Sequence, residues 1–142
     1  MDYKTYKPKF DAAQLLAQLD EHRKKVLEKK ALEYTTNGDR IWSFKQGARF
    51  YFELTGKMMP PEDYCVALLT KHLACIDDMI CGRTTNISRE RIFEKFGDAL
   101  NYLELLKMMC SKIIANHCSF SLVALDEKLK SDYLVLMDRL EW

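Results

Sequence analysis

An all-α fold, a single-domain bundle of about five helices, is what this sequence predicts. Three observations carry the expectation. Apolar residues recur at spacings of three and four through most of the chain, the repeat that puts them on one face of an α-helix. Glycine totals five and proline three, so few positions break a helix. No segment of useful length alternates apolar and polar residues, as a half-buried strand would. The 142 residues are 48% hydrophobic and 30% charged, which is enough apolar material for one core and too much for a disordered chain.

Residues 1–10, MDYKTYKPKF, read as a polar, basic tail with nothing resembling a signal peptide. A first helix is expected from about Ala12 to Tyr34. Asp11 suits its N-cap, and Gln14 three residues on resembles a capping box. Leu15, Leu16, Leu19, Val26, Leu27 and Ala31 mark its apolar stripe, while EHRKKVLEKK at 21–30 makes the outer face basic. The sequence TTNG breaks it. A second helix is expected from about Arg40 to Thr55, with Asp39 as its cap. Ile41, Phe44, Ala48, Tyr51 and Leu54 mark one face, and Trp42, Phe50 and Phe52 widen it, so contact on most sides is expected. Gly47 in its interior costs about 1 kcal/mol against alanine, which points to a close helix crossing. Gly56 suits the stop.

Pro61 opens a third helix, with Glu62 and Asp63 at the positive end of its dipole. Cys65, Leu68, Leu69, His72, Ile76 and Met79 form its stripe, and Gly82 ends it. Ser88 suits the cap of a fourth helix. There Ile92, Phe96, Ala99, Leu103, Leu106, Cys110 and Ile113 alternate by four and three without exception, one continuous seam for a partner helix. That seam could serve a homodimer as readily as an intramolecular core. NHCSFS interrupts, and a fifth helix is expected from about Leu122 to Leu140.

Lys plus Arg is 22 and Asp plus Glu is 21, a balance with no global pull toward nucleic acid or membrane. No run approaches the roughly 20 apolar residues that span a bilayer, so a cytoplasmic location is expected. The basic helix at 21–30 is the stretch that could touch nucleic acid, although Glu21 and Glu28 offer local pairs and a solvated face is the plainer reading. The five cysteines are odd in number and lack a CxxC, which suits buried thiols better than disulfides. His72, Cys75, His117 and Cys118 invite a zinc reading. No Cys/His pair repeats at the usual intervals, and a core histidine among thiols is the plainer reading.

The stretch EKFGDALNYLELL, residues 94–106, carries the chemistry question. On a helical wheel Asp98 lies about 100° from the centre of the seam. Glu94 and Tyr102 share its flank. Asp98 therefore sits at the border of core and solvent, where a side chain can face a groove. Lys71, Cys75 and Asp78 line one flank of the third helix. Packed through their stripes, the two helices could gather Lys71, Asp78, Glu94 and Asp98 around one cleft, with carboxylates for a divalent ion and lysine for a phosphate. Ordinary boundary residues that pair with one another give the same pattern.

The order of motifs resembles a family of small, uncharacterised phage and prophage proteins that are all-helical. The resemblance rests on Gly38 and Asp39, Phe44, Gly56, Pro61 with Glu62 and Asp63, Leu68 with Leu69 and Lys71, and Asp98 with Asn101 and Tyr102. It covers about residues 32 to 109. More distantly, the fourth helix is similar to the metal helix of MazG-like nucleoside triphosphate pyrophosphohydrolases, which reads Glu-Glu-x-x-Asp. Here Glu94 and Asp98 keep their places and Lys95 stands where the second Glu is expected. In those enzymes carboxylates hold magnesium and water attacks the phosphoanhydride; a nucleotide site on this chain would place magnesium on Glu94, Asp98 and Asp78. Lys71 would then meet phosphate, Asp39 or Trp42 would border the base, and Asn101 and Tyr102 would complete the ligand site.

Two functions are thus expected from different classes. One is a nucleotide-binding protein or degenerate MazG-like nucleotide hydrolase. The other is a non-enzymatic phage protein that inhibits a host defence protein, such as a CRISPR effector. Lys95 separates them, because a MazG-type enzyme should want an acid there.

Overall fold

The computed structural model describes residues 11–34, 38–85, 87–109 and 122–140. They form five helices: α1 (Ala12–Tyr34), α2 (Trp42–Thr55), α3 (Pro61–Ile80), α4 (Arg89–Met109) and α5 (Leu122–Leu140). The all-helical bundle is as the periodicity predicts. Among the described residues no helix is long and apolar enough to cross a membrane.

Each helix end has a local cause. The Asp11 carboxylate accepts the Ala13 N–H at 3.0 Å, and Ser88 Oγ accepts the Arg91 N–H at 3.1 Å, so two of the three expected caps form. Pro61 occupies the first turn of α3 with Glu62 and Asp63 beside it. At the other end Gly82 takes φ 73°, a left-handed conformation that spares glycine any Cβ strain. This lets Arg83 N–H reach the Asp78 carbonyl at 2.9 Å and Gly82 N–H reach the Met79 carbonyl at 3.4 Å, a Schellman closure. The Arg83 guanidinium then pairs with both Asp77 and Asp78.

Helix α4 is the hub. It packs on α1, α3 and α5, and α2 packs on α3. The expected seam residues Ile92, Phe96, Ala99, Leu103 and Leu106 are all buried. Cys110 and Ile113, which extended that seam, lie outside the described residues. Leu100, Gly97 and Asn101 are buried as well. The apolar surface of α4 thus wraps further round than one seam, because three helices rather than one cover it. From α5, Leu125, Leu129, Tyr133, Leu134, Leu136 and Met137 join the same core. The Tyr133 hydroxyl donates to the Leu15 carbonyl at 2.8 Å, which ties α5 to α1.

Two glycines set how close the helices come. A Cβ on Gly97 would lie 3.3 Å from His22 Cδ2 and 3.6 Å from Arg23 Cβ, so α4 meets α1 there with little room. A Cβ on Gly47 would overlap the Tyr64 ring, which confirms the close crossing expected at that position. Gly47→Ala should therefore cost about 1 kcal/mol or more despite alanine's better helix propensity. A chemical denaturation midpoint equal to or above that of the unsubstituted chain would contradict this.

Helix α2 differs from expectation in three respects. It begins at Trp42, two residues after Arg40. Its N-cap position is Ile41, and Asp39 acts one step earlier, accepting the Ile41 N–H at 3.1 Å in an Asx turn. Nor is it contacted on most sides: Phe44 and Ala48 are buried, but Phe50 is 51%, Phe52 46% and Leu54 85% exposed. The aromatic residues widen the apolar face beyond what α3 and α4 can cover. The cysteine expectation holds in part. Cys65 is buried, Cys75 is half-buried and Cys81 is exposed. Cys110 and Cys118 lie outside the described residues.

Candidate ligand cavity

A cavity of about 240 Å³ opens where α1, α2, α3 and α4 meet. Its walls follow from helix spacing. From α1, Leu27, Lys30 and Ala31 fall on one face at i, i+3 and i+4. From α4, Asp98, Asn101, Tyr102 and Leu105 do the same. Helix α3 supplies Tyr64 and Leu68 at i and i+4, and Ser43 and Phe44 come from the first turn of α2, just after Arg40. Phe44 meets Tyr64 edge-on at 6.5 Å and Tyr102 edge-on at 6.0 Å between ring centroids. Such tilted aromatic pairs are favourable.

The charges sit on the rim. Asp98 is 14% exposed and lies 3.4 Å from the Lys30 ammonium, which is itself 43% exposed. Arg40 is exposed, with no ion pair among the described residues. Behind the cavity wall, His72 stacks on Tyr102 at 5.2 Å. Burial pushes the His72 imidazolium down, Asp98 opposes this, and Lys95, Lys30 and Lys71 add to the depression. His72 is therefore a neutral ring at pH 7, backing Tyr102 within a basic neighbourhood. It is half-buried, and no group of three His, Cys, Asp or Glu among the described residues could hold a metal ion. His117 and Cys118 lie outside the described residues.

The cavity brings together three of the residues singled out in the sequence: Asp98, Asn101 and Tyr102. Lys71 is exposed on α3, near enough to act on His72. Glu94 is exposed and lies 3.6 Å from Lys95. Asp78, at the far end of α3, pairs with Arg83 at 2.8 Å. Asp39 accepts from Lys45 at 2.7 Å, and that ammonium, with the Ile41 N–H, holds its carboxyl below the usual range. Trp42 is 38% exposed. Neither Asp39 nor Trp42 lines the cavity; their neighbours Arg40 and Ser43 do.

Lys30, Arg40, Phe44 and Tyr64 are cavity residues that sequence reasoning did not assign to the site. Lys30 carried a signal, since it lies between Leu27 and Ala31 on the apolar stripe of α1. Arg40 carried none, because a turn places it. The rest of the basic stretch is largely a solvated face. Lys25 pairs with Glu21 at 3.2 Å, while Arg23 bridges Asp20 at 2.9 Å and Glu104 at 2.7 Å.

The arrangement defines a class, a helical bundle with an aromatic-walled, cation-rimmed cavity. No family model, curated protein or solved structure matches the chain. Its function is therefore read from its own residues.

Proposed function

We propose that the chain binds a nucleotide in the cavity between α1, α2, α3 and α4. One observation carries the reading: three aromatic rings, Phe44, Tyr64 and Tyr102, wall an apolar space whose rim holds Lys30 and Arg40. A base is planar and fits against rings, and a phosphate is anionic and suits ammonium and guanidinium donors. The volume of about 240 Å³ suits a base or nucleoside moiety, leaving phosphates at the rim. The resemblance to MazG-like enzymes points to the same ligand class.

Hydrolysis is the stronger form of this reading and would need magnesium. Of Asp78, Glu94 and Asp98, Asp98 alone lines the cavity. Magnesium is commonly held by one or two carboxylates together with substrate phosphates, so Asp98 is the residue that would hold it here. Calorimetric titration with nucleoside mono- and triphosphates, with and without magnesium, tests both forms. Binding in the micromolar range without pyrophosphate release is the expected result. Release of pyrophosphate would establish the enzyme, and no binding at any concentration reached would remove the reading.

A second reading is supported by the exposed apolar residues Phe50, Phe52, Leu54 and Met58 on and after α2. Exposed large apolar side chains of this kind suit docking on another protein, as an inhibitor of a host defence protein would require. The two readings involve different residues, so substitutions at the cavity and on α2 separate them.

A further inference from the structure

Asp98 lines the cavity, and its side chain is 14% exposed. Its Oδ1 lies 3.4 Å from the Lys30 ammonium, longer than the roughly 2.7–3.2 Å of a well-formed hydrogen bond. Its Oδ2 has no partner among the described residues. Nor is Oδ2 closed off, because the buried side-chain polar atoms left without a partner there are Arg91 Nε and Asn101 Oδ1. A carboxylate has room for about four hydrogen bonds and donates none. Asp98 is mostly withdrawn from water and receives one, a long one. Asn101, three residues on, does not make up the deficit, since its Nδ2 donates to the Arg23 carbonyl at 3.0 Å. A donor that enters the cavity does.

We propose that Asp98 recognises the sugar of the bound nucleotide, accepting a 2′- or 3′-hydroxyl at Oδ2, and so selects ribonucleotides over nucleotides that lack both hydroxyls. This rests on the binding form of the nucleotide reading, in which Asp98 holds no metal. The covalent order of a nucleotide argues for the sugar. A phosphate that meets the Lys30 ammonium brings beside Asp98 the unit bonded to that phosphate, which is the sugar. The base lies one unit further on, among Phe44, Tyr64 and Tyr102. The phosphate oxygens are themselves kept from Oδ2 by like charge. A sugar hydroxyl is a neutral donor, and its bond to a charged acceptor is stronger than a bond between neutral groups.

The test uses the full chain, without magnesium, and the 5′-monophosphates of adenosine, guanosine, cytidine and uridine, each beside its 2′,3′-dideoxy form. The tightest ribonucleotide should bind about 10-fold or more tightly than its dideoxy form, because that form leaves Oδ2 without a charge-assisted bond. Asp98→Ala, checked for folding by a thermal melt, should bring the two within about twofold. Taking the ratio within each protein removes the effect of the lost charge on phosphate affinity. Should that variant fail to fold, the ligand pair on the unsubstituted chain still decides. Equal or tighter binding of the dideoxy form would overturn the role of Asp98 and leave the nucleotide reading standing. So would a preference for the ribonucleotide that survives Asp98→Ala. No binding by any of these ligands would overturn both.

Discussion

Tyr133→Ala should lower the stability of the chain by about 3–5 kcal/mol, whereas Tyr133→Phe should lower it by about 1 kcal/mol. Tyr133 is fully buried. Its ring lies 5.8 Å from Phe96 and 6.2 Å from Phe93, so truncation opens a cavity at the junction of α4 and α5. Phenylalanine keeps that packing and loses one hydrogen bond, to the Leu15 carbonyl. Burial, opposed by Arg89, pushes the Tyr133 phenol up to about 12. Between the unfolded value near 10 and the folded value near 12, the folded chain binds a proton that the unfolded chain has lost. Stability is thus complete below about pH 10 and falls as pH rises toward about 12, a limb that Tyr133→Phe should flatten. Urea melts at neutral and alkaline pH measure all of this. A phenylalanine variant as unstable as the alanine variant would show that the hydroxyl, and not the ring, holds α5 in place.

The double substitution Lys30→Gln with Arg40→Gln should weaken nucleotide binding about 100-fold while leaving the fold intact. Each cation would contribute a charge-assisted contact to phosphate worth about 1.5–3 kcal/mol, and losing two removes about 3 kcal/mol or more. Both residues are on the rim and at least partly exposed, so the core does not depend on them. The pair between Lys30 and Asp98, at 3.4 Å and with a half-exposed lysine, contributes little to stability. The unsubstituted chain should bind less tightly as salt rises, and the double variant should have lost most of that dependence. Unchanged affinity and an unchanged salt response would place the phosphate elsewhere and detach the rim from the site. Lys71→Gln is the useful contrast, because Lys71 belongs to the same basic neighbourhood without lining the cavity.

Asp98 shows how much of the site a single sequence reveals. Its position at the edge of the α4 seam predicted a side chain between core and solvent, and at 14% exposure beside Lys30 it occupies that border. Asn101, three residues on, carries a consequence no wheel could show. Its burial depends on α1 crossing α4 at Gly97, and its bonding depends on which backbone carbonyl that crossing delivers. Glu94 lies one turn the other way from Asp98 and belongs to a different surface, paired with Lys95. Helical spacing places residues on a flank. It does not say where along the flank a neighbouring helix ends.

Helix α2 teaches the complementary lesson. The sequence marked Gly47 as the point of closest approach, and the Tyr64 ring is what approaches it. The same run of aromatics suggested a helix covered on most sides, yet Phe50 and Phe52 remain half-exposed. Hydrophobic content reports what a side chain would gain by burial, and only the arrangement of the other helices decides whether a cover exists.

The sequence by itself determined the five helices, the caps at Asp11 and Ser88 and the stops at Gly56 and Gly82, because these depend on neighbours within a turn or two along the chain. The tertiary structure alone decided that Leu27 and Lys30 of α1, Phe44 of α2, Tyr64 of α3 and Asn101 of α4 share one hollow. That meeting is set by crossing points and helix-to-helix distances, which are long-range quantities that no local repeat encodes.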